Sequence, residues 1–274
     1  MSIRVRQATE SRRHGDPAWT SPRLRASVAR LCALFVVVAS TVSLDAQRGR
    51  GGAAGPAASP RQAAPIDLAG YWVSPIIEDW KYRMVIPNNG VFGGIPLNAE
   101  GQKVGNAWDP TADEKTGEQC RAFGAAGIMR LPGRLHITWQ DDATLKVETD
   151  TGTQTRLFVF RPSSSAASSA AQPAGEPTWQ GQSQAQWNAP GRSVKIVTTN
   201  LKPGYLRRNG APYSARAVVT EYWELHTLPN KDEWLTVTTR VDDPTYLSRP
   251  YLTSSDFKKL PTSAGWNPTP CSTK

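Results

Sequence analysis

Residues 135–160, LHITWQDDATLKVETDTGTQTRLFVF, constrain the fold more than any other stretch. Three short alternating runs, 135–140, 144–149 and 153–160, are separated by little more than turn residues. Side chains on a strand alternate between faces, so Leu135, Ile137 and Trp139 share one face and His136, Thr138 and Gln140 the other. Leu145 and Val147 repeat the pattern against Lys146 and Glu148. Asp141-Asp142-Ala143 and Asp150-Thr151-Gly152 are residues that tolerate tight turns. A meander of half-buried antiparallel strands follows, and it resumes further along the chain. Thr178–Trp187, 193–200, 216–226 and 233–241 read as further strands, the last pair joined by a turn at Pro229-Asn230-Lys231-Asp232. In 178–187, Trp179, Gly181, Ser183, Ala185 and Trp187 share a face with room for another element or a ligand. The expected architecture is all-β: a lipocalin-like up-and-down antiparallel barrel of about eight strands, closed so that no sheet edge is exposed. A two-sheet sandwich is the second choice.

The flanks are of a different kind. An apolar run of 12 residues at 31–42 follows Arg23, Arg25 and Arg30 and precedes Leu44-Asp45-Ala46. That order is the one of a secretory signal cleaved near Ala46, and the run falls short of a membrane span. The rival reading is an uncleaved anchor. The expected address is periplasmic or secreted, with no membrane span after processing. Residues 47–65 are Gly/Ala/Pro-rich and read as a disordered linker; 66–274 form a single domain, interrupted by a low-complexity, disordered loop at 162–177. Within the domain, Asn98 can cap one short helix over 99–108. The proline-rich tail from Tyr246 reads as irregular chain. Trp72 in Asp67-x-x-Gly70-x-Trp72 reads as a plug for one end of the core.

The formal charge of +9 belongs largely to the leader and linker. From residue 66 onward, 22 basic side chains face 20 acidic ones without clustering, which argues against nucleic acid as a partner. Cys120 and Cys271, the two cysteines beyond the leader, suit one disulfide in an exported chain.

Glu221 is the strongest chemical candidate, because it lies on the apolar face of Ala217, Val219, Trp223 and Leu225. A buried carboxylate needs a partner. Arg156, on the face of Phe158 and Phe160, can supply it, as a structural pair or as an acid–base group in a cavity. His136 is a third candidate catalytic residue; His226 and Asp242 are minor ones. Trp139, Trp179, Ser183, Trp187 and Trp223 are the candidate ligand-binding side chains. Asp109, Asp113, Glu114 and Glu118 read as a solvated acidic loop, since their spacing lacks the order of a calcium loop. No metal site and no cofactor are expected: two histidines and a bridged cysteine pair make a poor zinc site, and nucleotide fingerprints and a nucleophile elbow are missing.

Pro177-Thr178-Trp179-Gln180-Gly181-Gln182-Ser183, Val219-Thr220-Glu221-Tyr222 and Asp243-Pro244-Thr245-Tyr246 carry a resemblance. They are similar to the P-x-W-x-G-x-S and V-T-E-aromatic motifs and, one residue shorter, to the D-P-x-x-Y turn of a large group of uncharacterised exported bacterial β-proteins. The likeness spans most of 66–270. It implies a lipocalin-like β architecture and brings no activity with it. The expected function is binding of a small, partly apolar molecule. The alternatives are an enzyme on the same scaffold, using Glu221 for proton transfer, lyase or hydrolytic chemistry, or a structural envelope protein without a ligand.

Overall fold

The computed structural model describes residues 58–161, 175–188 and 191–273, so the expected signal and most of the 162–177 loop lie outside the described residues. Nine strands close into a barrel. They are β1 (Gly70–Val73), β2 (Arg134–Trp139), β3 (Thr144–Thr149), β4 (Gln154–Phe160), β5 (Gln182–Asn188), β6 (Ser193–Thr199), β9 (Val218–Thr227), β10 (Glu233–Asp242) and β11 (Tyr251–Leu260). Around the barrel they run β1-β11-β10-β9-β6-β5-β4-β3-β2. β7 (Gly204–Arg207) and β8 (Ala211–Tyr213) form a separate hairpin between β6 and β9.

Closure depends on the four-residue β1, which pairs on one side with β11 (Tyr71↔Leu260) and on the other with β2 (Gly70↔Ile137). Its Trp72 points inward, fully buried, and the indole N–H donates to the Leu68 carbonyl at 2.9 Å. The β2–β3–β4 meander keeps the alternation of the sequence: Ile137, Val147 and Phe158 are all inside. In β9, Val219, Glu221, Trp223 and Leu225 face inward and Val218, Thr220, Tyr222 and Glu224 do not.

Three features depart from the expected meander. β4 and β5 run parallel, with Phe158 opposite Ser183, where a meander would pair them antiparallel. β5 also starts later than expected, so Trp179 stands off the strand: Gly181 takes a left-handed φ of 60° at a point where a Cβ would sit 2.4 Å from the Thr199 carbonyl oxygen. And the tail is not irregular throughout. Its prolines flank β11, which pairs with β10 over eight residues from Trp234↔Lys258 to Val241↔Tyr251.

Short helices occupy one end: α1 (Trp80–Arg83), α2 (Ala99–Asn106) and α3 (Pro110–Lys115), with single 3₁₀ turns at Arg121–Phe123 and Ile128–Arg130. Asn98 caps α2, its side chain accepting from the Gly101 amide at 2.9 Å. α3 starts with Asp109 as cap and Pro110 at its first position, an arrangement suited to a helix start. The linker ends before Pro65, because the Arg61 amide donates to the Asp142 carbonyl and Trp187 Nε1 to the Pro60 carbonyl. Cys120 and Cys271 are bonded across a separation of 151 residues.

Candidate functional site

Among the described residues, the barrel interior holds a cluster of buried apolar side chains and one ion pair with both side chains fully buried. Arg156 on β4 and Glu221 on β9 meet side by side, Nη1–Oε1 at 3.0 Å and Nη2–Oε2 at 2.5 Å, with neither side chain exposed. This is the two-pronged geometry that guanidinium and carboxylate favour. Arg156 Nη2 also lies 3.4 Å from Thr198 Oγ1, which shares a hydrogen bond of 2.8 Å with Ser183 Oγ. The guanidinium covers the Phe158 ring, and Trp223 meets that ring edge-on with centroids 5.1 Å apart. The face argument from sequence therefore places this pair correctly. Ser183 and Ala185 stand opposite Phe158 and Phe160 of β4.

The other sequence candidates disperse. Trp139, Phe160 and Trp187 cluster with their rings tilted against one another, centroids 4.6–6.3 Å apart. Trp187 also borders a surface depression of about 270 Å³ with Gln186, Lys195 and Tyr222. Trp179 lies under the Lys202 ammonium and donates to the Pro203 carbonyl. His136 is on the barrel's outer surface, stacked on Tyr71 at 4.2 Å and 3.2 Å from Glu148, so it does not join Glu221. His226 is exposed, and Asp242 is held by Arg240 in two contacts of 2.7 Å, which lower its pKa. Among the described residues, His, Cys, Asp and Glu side chains do not gather in threes as a metal site would require.

A different cluster lies outside the barrel. A groove of about 390 Å³ runs between α2, α3 and the β7–β8 hairpin, walled by Trp108, Tyr205, Tyr213 and Tyr246 and floored by Asp113 and Arg121. Asp113 is the node: Oδ2 accepts from Trp108 Nε1 (2.8 Å) and from the Tyr205 hydroxyl (3.0 Å), and Oδ1 from Arg121 Nη1 (3.0 Å). The Arg121 guanidinium lies 5.0 Å over the Tyr205 ring, and Glu118, 3.2 Å away, links it to Lys202. Burial opposes the Arg121 charge, but Tyr205, Asp113 and Glu118 together outweigh it and raise its pKa.

No family model, curated protein or solved structure matches the chain. Its chemistry has to be read from the site alone.

Sequence reasoning assigned Asp113 to a solvated loop and passed over Arg121, Tyr205 and Tyr213. The one signal available was Trp108 closely followed by Asp113 and Arg121, a polar–aromatic cluster beside a cysteine.

Two tyrosines give the groove a pH signature. Burial pushes the Tyr205 phenol well above its ordinary value, with Arg121 pulling down and Asp113 pushing further up. Burial raises Tyr213 likewise, against a smaller pull from Arg121. The folded chain thus retains phenol protons that an unfolded chain loses near pH 10. Below about pH 10 these groups leave stability unchanged, and above it stability falls as pH rises, because the unfolded state binds fewer protons. Tyr213 adds a second test, since its hydroxyl is buried without a partner among the described residues. Tyr213→Phe should flatten the alkaline limb of a urea-melt series and, at neutral pH, leave stability unchanged or raise it by up to ~1 kcal/mol. A loss of more than that would mean the hydroxyl is well bonded.

Proposed function

We propose that the protein is exported, to the periplasm or beyond, and binds a small, partly apolar molecule in the outer groove rather than inside the barrel. The observation that carries this reading is a groove of about 390 Å³ lined by four aromatic side chains, two of which, Trp108 and Tyr205, are bonded to the Asp113 carboxylate that also holds Arg121. Small-molecule sites characteristically combine apolar and aromatic walls with a few placed polar groups, at volumes of about 300–1,000 Å³. Trp108 and Tyr246, the half-buried rings of the groove, suit a ring-bearing ligand. Arg121, whose side chain retains 28% exposure, suits one anionic or hydroxylated end. The bonded Cys120–Cys271 pair and the resemblance to exported β-proteins support the address.

An enzyme built on Glu221, Arg156 and His136 has less support, because the ion pair is closed off from solvent and His136 is elsewhere on the surface. A purely structural envelope role leaves the groove unexplained.

Anilinonaphthalene sulfonate, a ring system with one anionic end, is a suitable probe. The wild-type chain should bind it saturably at the groove, read by calorimetry. Arg121→Gln, checked for folding by circular dichroism, should weaken that binding roughly tenfold through loss of a charge-assisted contact. Unchanged affinity in Arg121→Gln would remove the groove from consideration.

A further inference from the structure

Residues 76–91, which include α1, display six large apolar side chains to solvent: Ile77, Trp80, Met84, Val85, Ile86 and Val91. Trp80 is 64% exposed. The backbone holds this display under strain, since Ile76 and Asp79 both sit at a left-handed φ of 52°, a region that a β-branched residue rarely enters unless its surroundings force it. Two ion pairs supply that force, Arg83 with Glu78 and Arg130 with Asp79. Arg83 is further tied to the Arg130 carbonyl at 2.9 Å and to Ser74 Oγ at 2.8 Å.

The same segment borders a cavity of about 270 Å³ whose walls include Tyr82, Arg130, Arg207 and Leu252. Arg207 is only 8% exposed. It donates to the Gly93 carbonyl at 3.1 Å and lies 4.5 Å over the Tyr82 ring, but its Nη1 has no partner among the described residues. Buried cations are ordinarily paired. The two carboxylates of this cavity, Glu78 and Asp79, are committed to Arg83 and Arg130, so among the described residues Arg207 has the Tyr82 ring and the Gly93 carbonyl but no carboxylate. Arg207 thus gives this cavity a guanidinium lining that an anion can answer. Leu252, 62% exposed on the cavity wall, extends the apolar surface to the place where that anion would sit.

We propose that this end of the protein docks on a phospholipid surface, with Trp80 and its apolar neighbours at the boundary of headgroups and acyl chains and a lipid phosphate beside Arg207. Tryptophan favours that boundary, and guanidinium matches phosphate oxygens. A soluble anion would answer Arg207 and leave the apolar side chains in water. A second copy packed face to face would cover them but bring another Arg207 in place of an anion. No described helix is long and apolar enough to cross a membrane, so the contact is one of surface insertion by side chains.

The test uses the full chain with vesicles of phosphatidylcholine and phosphatidylglycerol carrying bromine on their acyl chains, which quenches inserted tryptophans. The comparison with Trp80→Phe isolates this site from any other part of the chain. Quenching should be seen in the wild type and largely lost in Trp80→Phe. Arg207→Gln should weaken partition about fivefold, the effect of one basic residue at an anionic surface, and Arg207→Lys should restore most of it. If Arg207→Gln folds poorly, the doubly exposed change Met84→Ser with Leu252→Ser should lower partition roughly tenfold or more. Equal quenching in wild type and Trp80→Phe would overturn the proposal, as would an unquenched Trp80 accompanied by a concentration-dependent dimer in sedimentation.

Discussion

Glu221→Gln or Arg156→Met, made singly, should lower stability by about 3–5 kcal/mol, because each leaves one polar or charged group unpaired in a sealed core. Both side chains are fully buried and joined by two contacts, and nothing exposed can take over from a lost partner. Native domains have only about 5–15 kcal/mol in hand, so a single variant should melt on the order of 10 °C lower. The double variant Arg156→Met with Glu221→Leu should recover most of the loss, since apolar replacements of similar volume remove the desolvation cost together with the attraction. A double-mutant cycle in denaturant isolates the coupling. Single variants as stable as the wild type would mean that water reaches the pair. It would also reopen the barrel interior as a site.

The second large effect concerns the tail. Breaking Cys120–Cys271, by reductant or by paired serine substitution, should cost about 2–5 kcal/mol, the upper end following from the long loop that a separation of 151 residues closes. The consequence should reach the groove. Ser272 and Thr273 lie behind the Trp108–Asp113–Tyr205 node, where Arg208 donates to the Ser272 carbonyl and Thr273 Oγ1 to Glu114. Reduced protein should therefore melt lower and bind the probe more weakly than oxidised protein at a temperature where both remain folded. Identical melting in the two states would show that hydrogen bonds such as the Thr269 amide to the Asp150 carbonyl already fix the tail.

Much of the barrel was legible because its strands alternate cleanly. Leu135, Ile137, Leu145, Val147, Phe158 and Trp223 all announce an inner face, and they occupy it. The same logic brought Arg156 to Glu221. β11 was missed because its inner positions include Ser255 beside Tyr251 and Phe257, so the apolar period is diluted. The β7–β8 hairpin carried a readable signal in Asn209-Gly210, a turn pair, with Gly210 at φ 82°. Surrounding arginines and prolines hid the strands on either side. The groove could not be read in the same way. Its residues come from α2, α3, a 3₁₀ turn, the hairpin and the loop after β10, and each is unremarkable in its own stretch of sequence. A strand's period reports which side is buried; it carries no information about which distant loops will meet.

The most direct test of where the ligand sits sets two variants against each other in one calorimetric titration with anilinonaphthalene sulfonate. Ala112→Trp fills the groove from an exposed position on α3, and Arg156→Met with Glu221→Leu alters only the barrel interior. Groove binding predicts that Ala112→Trp abolishes saturable binding and that the interior double variant retains wild-type affinity. Binding that survives Ala112→Trp and is lost in the interior variant would contradict it and place the ligand inside the barrel.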